Sequence, residues 1–322
     1  MPMIDKPVEE LLKYNGSTPC PEDFDEFWDA RLSELDKINP DVKLVESDFK
    51  SSVAECFDLY YTGTKGARIY AKYLRPKNIV SNAPAILCFH GYSGSSGEWS
   101  EYLKYVSEGF CVAAMDCRGQ GGKSQDVGGT VGTTFRGQFI RGVDGPPEDM
   151  LFVQMFLDTA ILAKVVSSFS EVDGEKLCAV GGSQGGGLTL VCVSLVPEVK
   201  RAVSRFPFLS DYKRVWDMDL AKGAYEEIEK YFRCFDPRHE REYEIFEKLG
   251  YIDIQNMTKR IRAKVLMFTG LMDTTCPPST QFAAYNKIQS EKEYILYPDF
   301  GHEGLKGAGD IEFTFLREIF ED

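Results

Sequence analysis

The chain has 322 residues, of which 43% are hydrophobic and 27% charged, a balance typical of globular proteins with a sizeable buried core. Its formal net charge of -13 at pH 7 would repel phosphate backbones and anionic lipid headgroups. The composition therefore excludes a disordered protein and argues against nucleic acid or a membrane as partner. The length fits one large domain with insertions as well as it fits two domains, and of these we predict a single domain over residues 1–322.

The first ten residues lack the basic and apolar segments of a secretory signal, and no later run approaches the roughly 20 apolar residues of a membrane helix. The cysteine count of 9 is odd, and several cysteines stand inside apolar runs, where a free thiol behaves as a small hydrophobic side chain. We therefore expect a cytoplasmic protein with reduced cysteines.

Residues 1–80 predict a helix followed by antiparallel strands. The helix is expected over residues 22–36, and its apolar positions, which recur at three- and four-residue spacing, are Phe24, Trp28, Leu32 and Leu35. Strands are predicted at Cys56–Tyr61 and Ala67–Leu74, separated by a turn at Gly63–Gly66.

From Pro84 onward, short apolar runs end in glycine-rich turns and are followed by helix-like stretches. Parallel strands that are buried on both faces lose their polar alternation, so this pattern predicts an α/β fold with a mostly parallel twisted sheet and helices on both faces. The predicted strands are Ala85–Phe89, Cys111–Met115, Leu177–Val180, Ala202–Phe206, Val265–Thr269 and Tyr294–Tyr297.

Residues 211–249 interrupt this pattern with charged and aromatic residues at helical spacing. The aromatic residues are Trp216, Tyr225, Tyr231 and Phe246. We predict a helical insertion there, which is either a lid over the site or an oligomer surface.

The strongest local motif is Gly181-Gly182-Ser183-Gln184-Gly185, between a predicted strand and a helix-like stretch. A nucleophile elbow, the sharp turn that exposes the catalytic serine of α/β-hydrolases, needs small residues two places either side of the serine, and Gly181 and Gly185 meet that need. Glycine-rich turns are also structural or bind dinucleotides, but the G-x-G-x-x-G spacing is absent. The motif predicts Ser183 as a nucleophile.

A serine hydroxyl needs a base within hydrogen-bonding reach, most often a histidine, and the chain has 3 histidines. His90 ends the first predicted parallel strand, where this fold places an oxyanion loop, and His239 lies in a charged run typical of a solvated surface. His302 follows the last predicted strand and precedes the final helix. We therefore predict His302 as the general base.

The acid that orients the histidine should lie between the serine and the histidine in the chain. Asp273 follows the predicted strand Val265–Thr269, and it would hold the imidazole tautomer and stabilise the imidazolium. Asp299 is a rival because it is nearer to His302, but an acid three residues before the base is expected to cap the turn. Chain order favours Asp273.

Negative charge that develops on the substrate carbonyl oxygen requires pre-placed donors, for which we predict the backbone N–H groups of Gln184 and Tyr92. The Tyr92 ring is either a wall of the acyl pocket or an ordinary loop aromatic. The Gly122-Lys123-Ser124 run lacks the earlier glycine of a phosphate-binding loop, and no C-x-x-C pair indicates a metal. We predict no cofactor and no metal.

Together these motifs resemble carbohydrate esterase family seven, the acetyl xylan esterases and cephalosporin C deacetylases of the α/β-hydrolase superfamily. The residues that carry the resemblance are Arg118-Gly119-Gln120, Gly182-Ser183-Gln184-Gly185 and His302-Glu303, supported by Asp273 and Cys276-Pro277-Pro278-Ser279-Thr280. The resemblance runs over nearly the whole chain, from Asp23-Phe24-Asp25-Glu26-Phe27-Trp28 to the terminal helix.

The resemblance implies a serine esterase that removes acetyl groups from small acetylated sugars, xylo-oligosaccharides and cephalosporin C through an acyl-serine intermediate. It also implies a homohexamer whose subunit contacts partly bury the sites, without metal or cofactor. The resemblance implies that the family's catalytic triad corresponds to Ser183, Asp273 and His302. It places the oxyanion donors at Tyr92 and Gln184. It also implies that Arg118 and Gln120 are structural residues that brace loops near the site.

Two alternatives stay open. A serine peptidase or longer-chain carboxylesterase on the same fold would prefer peptides or long-chain esters to acetyl esters. A non-catalytic binding protein on a hydrolase scaffold would form no adduct with a serine-directed phosphonate. Such proteins usually lose a triad member, and this chain retains all three, so the residues favour an enzyme.

Overall fold

The computed structural model of the protein describes residues 4–79, 82–127 and 136–322. The strands in these ranges are Lys43–Glu46 (β1), Ala54–Thr62 (β2), Arg68–Pro76 (β3), Ala83–Phe89 (β4), Cys111–Met115 (β5), Val172–Gly182 (β6), Val199–Arg205 (β7), Lys264–Gly270 (β8) and Lys292–Tyr297 (β9). They form one sheet in the spatial order β1-β2-β3-β5-β4-β6-β7-β8-β9.

The α-helices of the described residues include both long core helices and single turns. They are Val8–Leu11 (α1), Phe24–Leu35 (α2), Leu103–Ser107 (α3), Leu151–Ser167 (α4), Gln184–Leu195 (α5), Tyr212–Asp217 (α6), Glu226–Phe235 (α7), Glu242–Leu249 (α8), Ile254–Met257 (α9), Pro278–Lys287 (α10) and Ala308–Arg317 (α11). Within the ranges described, none of the helices combines the length and the apolar character that crossing a membrane would require.

The first three strands form the antiparallel end of the sheet. β2 and β3 pair from Ala54 opposite Pro76 to Thr62 opposite Arg68, which confirms the predicted antiparallel start. β3 then pairs antiparallel with β5 and so joins this end to the parallel part. The sequence does not predict β1, because all four of its residues are exposed and carry no alternation of buried and exposed positions.

Strands β4 to β9 run parallel, which confirms the predicted α/β fold. Successive side chains of a strand point to opposite faces, and here both faces are buried. In β4, Leu87 and Phe89 pack in the core that contains α4 and α5, whereas Ile86 and Cys88 pack in the core that contains α3 and α11. The apolar runs lack polar alternation for this reason.

The predicted N-terminal helix is α2, and it packs on α4 rather than on the sheet. The Trp28 ring stacks on Phe156 with ring centroids 5.9 Å apart, and its indole N–H donates to the Tyr251 carbonyl at 3.1 Å. Phe24, Trp28 and Leu35 are buried, while Leu32 is half-buried. This second layer encloses α4 almost completely, which explains why α4 is apolar on nearly every side.

The order of the strands reverses at β4. The chain passes from β4 to β5 on one side and then to β6 on the other, so the carboxyl ends of β4 and β6 lie side by side at a topological switch point. Open α/β sheets bind their ligands in the crevice at such a point. The motifs that follow β4 and β6, at His90 and Ser183, therefore meet there.

Residues 211–249 contain α6, α7 and α8, which confirms the predicted helical insertion. Tyr225 is fully buried, and its ring lies 4.4 Å from that of Phe208, between the end of β7 and the insertion. Trp216 packs on Phe232 with ring centroids 4.9 Å apart. The insertion is thus fixed to the sheet beside the switch point by buried aromatic contacts.

Candidate active site

Ser183 stands in the tight turn between β6 and α5, with φ 57° and ψ -121°. This conformation favours glycine and costs a serine on the order of 1–3 kcal/mol, which the surroundings must offset. Ser183 donates its N–H to the Arg205 carbonyl at 3.0 Å, and its own carbonyl accepts from the Phe208 N–H at 3.0 Å. These two bonds hold the turn against the end of β7.

The two glycines that flank the turn have no room for a side chain. A Cβ at Gly181 would lie 2.3 Å from the carbonyl of Gly185, and a Cβ at Gly185 would lie 2.0 Å from the carbonyl oxygen of Phe89. The sharp turn brings these backbones together, as a nucleophile elbow requires.

Ser183, His302 and Asp273 are joined by two hydrogen bonds. The His302 Nε2 atom lies 2.9 Å from Ser183 Oγ, and its Nδ1 atom lies 2.8 Å from Asp273 Oδ2. With the Nδ1 proton donated to the carboxylate, the Nε2 lone pair faces the serine hydroxyl. The structure thus brings together the three residues that the sequence singles out.

Asp273 is fully buried, and both of its oxygens have partners. While Oδ2 accepts from His302, Oδ1 accepts the backbone N–H groups of Thr275 and Cys276 at 2.8 Å each. Three donors therefore fix the orientation of the carboxylate. The rival Asp299 is exposed on the turn after β9, and His302 bonds to Asp273 instead.

The other two histidines are engaged elsewhere. His90 accepts the Cys117 N–H at Nε2, 2.9 Å away, and donates from Nδ1 to the Gly91 carbonyl at 2.7 Å. Burial lowers the pKa of His90 and keeps its ring neutral. His239 packs on Phe232 in the insertion, so both of these histidines have partners other than Ser183.

The predicted oxyanion donors lie on the two segments that meet at the switch point. Gln184 is the first residue of α5, where no carbonyl of the helix reaches its N–H. Its side chain forms a reciprocal amide pair with Gln120, at 2.7 and 3.0 Å, and Gln120 also accepts the Ser93 N–H at 3.1 Å. Gln120 thereby ties the serine turn to the loop that carries Tyr92.

Tyr92 is held from the other side by the insertion. Its hydroxyl donates to the buried Glu227 carboxylate on α7, and its ring lies 5.0 Å from Phe208. Glu227 also accepts the N–H groups of Gln138 at 2.9 Å and Ile140 at 3.3 Å. Burial raises the pKa of Glu227 to about 7, because these donors do not fully replace its hydration.

Sequence reasoning missed Glu227, since it is one of many acidic residues in the insertion. The available signal is its position on the apolar stripe of α7, four residues before the buried Tyr231. An acidic residue on the inward face of an amphipathic helix needs a buried partner, and here that partner is the Tyr92 hydroxyl.

Arg118 lies behind the site in a buried ion pair. Its guanidinium donates to both oxygens of Asp158 on α4, at 2.6 and 2.7 Å, and to Thr64 in the turn before β3. Both charged side chains are only 1% exposed. Arg118 braces the segment after β5, which continues to Gln120.

Among the described residues, Asp273, Cys276 and His302 bring three possible metal-ligating atoms within 4.8 Å of one another. Two of those atoms already form the hydrogen bond between Asp273 and His302. Burial raises the pKa of the Cys276 thiol well above its usual range, which disfavours the thiolate that a metal would require. The donor set therefore fits a proton-transfer triad better than a metal centre.

Known proteins resemble this chain in sequence and in structure. A family model described as Acetyl xylan esterase (AXE1) matches residues 1–318. The crystal structure of acetyl xylan esterase 1 from Thermoanaerobacterium sp. JW/SL YS485 is 56% identical, with 98% of this chain and 100% of that chain covered and a TM-score of 0.97. An acetyl xylan esterase from Paenibacillus sp. R4 is 36% identical, with 97% and 99% covered and a TM-score of 0.91. Acetyl esterase Axe7A of Xylanibacter ruminicola is 28% identical over 315 residues, which are 96% of this chain and 69% of the relative.

Proposed function

This chain belongs to the acetyl xylan esterase family and is a carboxylic ester hydrolase that cleaves acetyl esters, and we propose that it acts through an acyl-serine intermediate on Ser183. The observation that carries the mechanism is the continuous pair of hydrogen bonds from Ser183 Oγ through His302 to Asp273. A buried acid, an oriented imidazole and a strained serine are the parts that acyl transfer needs.

In the first half of the reaction, Ser183 Oγ attacks the acetyl carbonyl carbon while His302 Nε2 takes the hydroxyl proton. Asp273 stabilises the imidazolium that forms. The carbonyl oxygen becomes an oxyanion, and the backbone N–H groups of Gln184 and Tyr92 donate hydrogen bonds to it. Their positions at the start of α5 and on the loop after β4 support this role.

The ester C–O bond then breaks, and His302 returns its proton to the leaving alcohol oxygen. Ser183 is left carrying the acetyl group. In the second half, a water molecule gives a proton to His302 and attacks the acetyl carbon. The bond between that carbon and Ser183 Oγ then breaks, His302 returns the proton to Oγ, and acetate leaves.

We propose that the substrates are small acetylated sugars and xylo-oligosaccharides, and also cephalosporin C. The support for the first two is that the two solved relatives at 56% and 36% identity are acetyl xylan esterases. The rates at which acetate is released from acetylated xylo-oligosaccharides and cephalosporin C, and fatty acid from a long-chain ester, test this substrate range. Preference for the long-chain ester, or for peptides, would overturn it.

The substitution Ser183→Ala tests the assignment of the nucleophile. We expect hydrolysis of p-nitrophenyl acetate to be abolished while the circular dichroism spectrum is unchanged. An active Ser183→Ala protein would refute the assignment of the nucleophile without touching the substrate range.

We further propose a homohexamer in which the insertion contributes to subunit contacts. The insertion carries two large side chains in solvent, Phe235 at 48% and Tyr243 at 69% exposure, and exposed apolar groups of this kind are enriched at interfaces. Sedimentation equilibrium should give six chains per particle, and a monomer would contradict the proposal.

A cytoplasmic location is also proposed. All nine cysteines are in the described ranges, and all are unpaired, as expected in a reducing compartment. Fractionation of the source cells should find the protein with cytoplasmic markers rather than outside the cell.

A further inference from the structure

A cavity of about 510 Å³ lies beside Ser183, on the sheet face that is covered by α3 and α11. Its size falls within the roughly 300–1,000 Å³ of small-molecule sites. Its lining includes Ser183 and Gly91 together with Tyr105 of α3 and Glu312 of α11. The cavity therefore opens directly onto the nucleophile.

This cavity lies on the His302 side of the serine. Phe206 forms part of its wall, and the Phe206 ring centroid is 4.7 Å from that of His302. In acyl transfer the imidazolium protonates the leaving alcohol, so the oxygen of that alcohol must lie near His302 Nε2. Because Phe206 both packs on His302 and lines the cavity, a group attached to that oxygen has room to extend along Phe206 into the cavity.

Arg205 projects into the cavity from the end of β7. Its Nε atom lies 3.6 Å from Glu312 Oε2, and the Glu312 side chain is only 2% exposed. The other Glu312 oxygen accepts the Tyr105 hydroxyl at 2.7 Å. The 3.6 Å separation is an ion pair without a hydrogen bond, and among the described residues neither Arg205 Nε nor Glu312 Oε2 has a hydrogen-bond partner. The donors of the Arg205 guanidinium therefore remain for a ligand.

Among the described residues, the positive and negative side chains that line the cavity are equal in number. Arg205 and Lys104 are positive, while Glu312 and Glu101 are negative. His90 adds no charge, because burial lowers its pKa. Sugar hydroxyls, which both donate and accept hydrogen bonds, match this mixture of cations and anions.

We propose that this cavity is the subsite for the alcohol half of the ester and binds a neutral sugar ring, with Arg205 donating hydrogen bonds to its hydroxyl oxygens. Arg205 then determines the preference for sugar esters over simple acetyl esters. The inference rests on the proposed function, since it names the part of the site that recognises the sugar.

The test compares kcat/KM for acetylated xylobiose with kcat/KM for p-nitrophenyl acetate, whose aryl group offers no ring hydroxyls. Arg205→Lys keeps the charge beside Glu312 but loses the planar Nη donors. We expect the ratio of sugar ester to aryl ester to fall about ten-fold, mainly through a higher KM for the sugar ester, as expected for lost charge-assisted hydrogen bonds. Arg317→Lys, on the exposed side of α11, is the matched control and should leave the ratio unchanged.

The double variant Arg205→Gln with Glu312→Gln, which leaves no unpaired buried charge, should show the same fall in the ratio. An unchanged ratio in both variants, with the wild-type protein active on acetylated xylobiose, overturns the subsite alone. A wild-type protein that hydrolyses the aryl ester but not acetylated xylobiose overturns both the subsite and the proposed substrate.

Discussion

The buried Glu227 carboxylate should make the stability of the protein depend on pH, and Glu227→Gln should remove that dependence. Its pKa is raised by burial from 4.5 to about 7 in the folded protein. A carboxyl group with a raised folded pKa favours folding while it is protonated, and this contribution is lost as the pH rises from the unfolded pKa to the folded one. At about 1.4 kcal/mol per pH unit, the loss between 4.5 and about 7 is on the order of 3 kcal/mol.

The expected change in Tm follows from the size of the chain. An unfolding entropy of about 2.1 cal/mol/K per residue gives about 0.7 kcal/mol/K for 322 residues, so 3 kcal/mol corresponds to about 4 °C. Glutamine resembles protonated glutamate in shape and charge. Glu227→Gln should therefore match the wild type near pH 5 and exceed its Tm by about 4 °C near pH 8.

Differential scanning fluorimetry of both proteins across this pH range measures the difference. Glu229→Gln, at a half-buried glutamate on the same helix, controls for the loss of one charge from α7. A difference in Tm between Glu227→Gln and the wild type that is the same at all pH values would refute the raised pKa of Glu227 in the folded protein.

Two further substitutions test the architecture of the site. Asp273→Asn should lower kcat for p-nitrophenyl acetate by about 10⁴-fold without a change in Tm, because an asparagine amide beside Nδ1 favours the wrong imidazole tautomer. Asp299→Asn, at an exposed position, is the matched control. An equal loss of kcat in Asp299→Asn would contradict the assignment of Asp273 as the acid of the triad. Asp158→Asn should lower the free energy of unfolding by about 3–5 kcal/mol in urea titrations, because it leaves the Arg118 charge buried without its partner. A change below about 1 kcal/mol would show that the pair is not desolvated as the structure indicates.

The sequence predicts those strands and turns whose burial restricts the residue types at each position. The apolar runs of β4 to β8 mark strands because both faces of the sheet are covered, and Gly185 marks the turn because a Cβ would meet the Phe89 carbonyl. The strand β1 cannot be predicted from a pattern of apolar residues, because its four residues are exposed at the sheet edge.

Within the site, the order of Ser183, Asp273 and His302 in the chain is enough to propose the triad, because the fold places each after a particular strand. The Glu227 contact with Tyr92 depends on how the insertion folds back on the oxyanion loop, and no local pattern encodes that. The same holds for Arg205 and Glu312, which come from β7 and α11 and meet only in the folded protein.

Covalent labelling tests the central claim most directly. A serine-directed phosphonate should add one group per chain, and peptide mass spectrometry should locate it on Ser183, with labelling slowed in His302→Ala and absent in Ser183→Ala. No adduct on the wild type, or an adduct that persists in Ser183→Ala, would contradict the account.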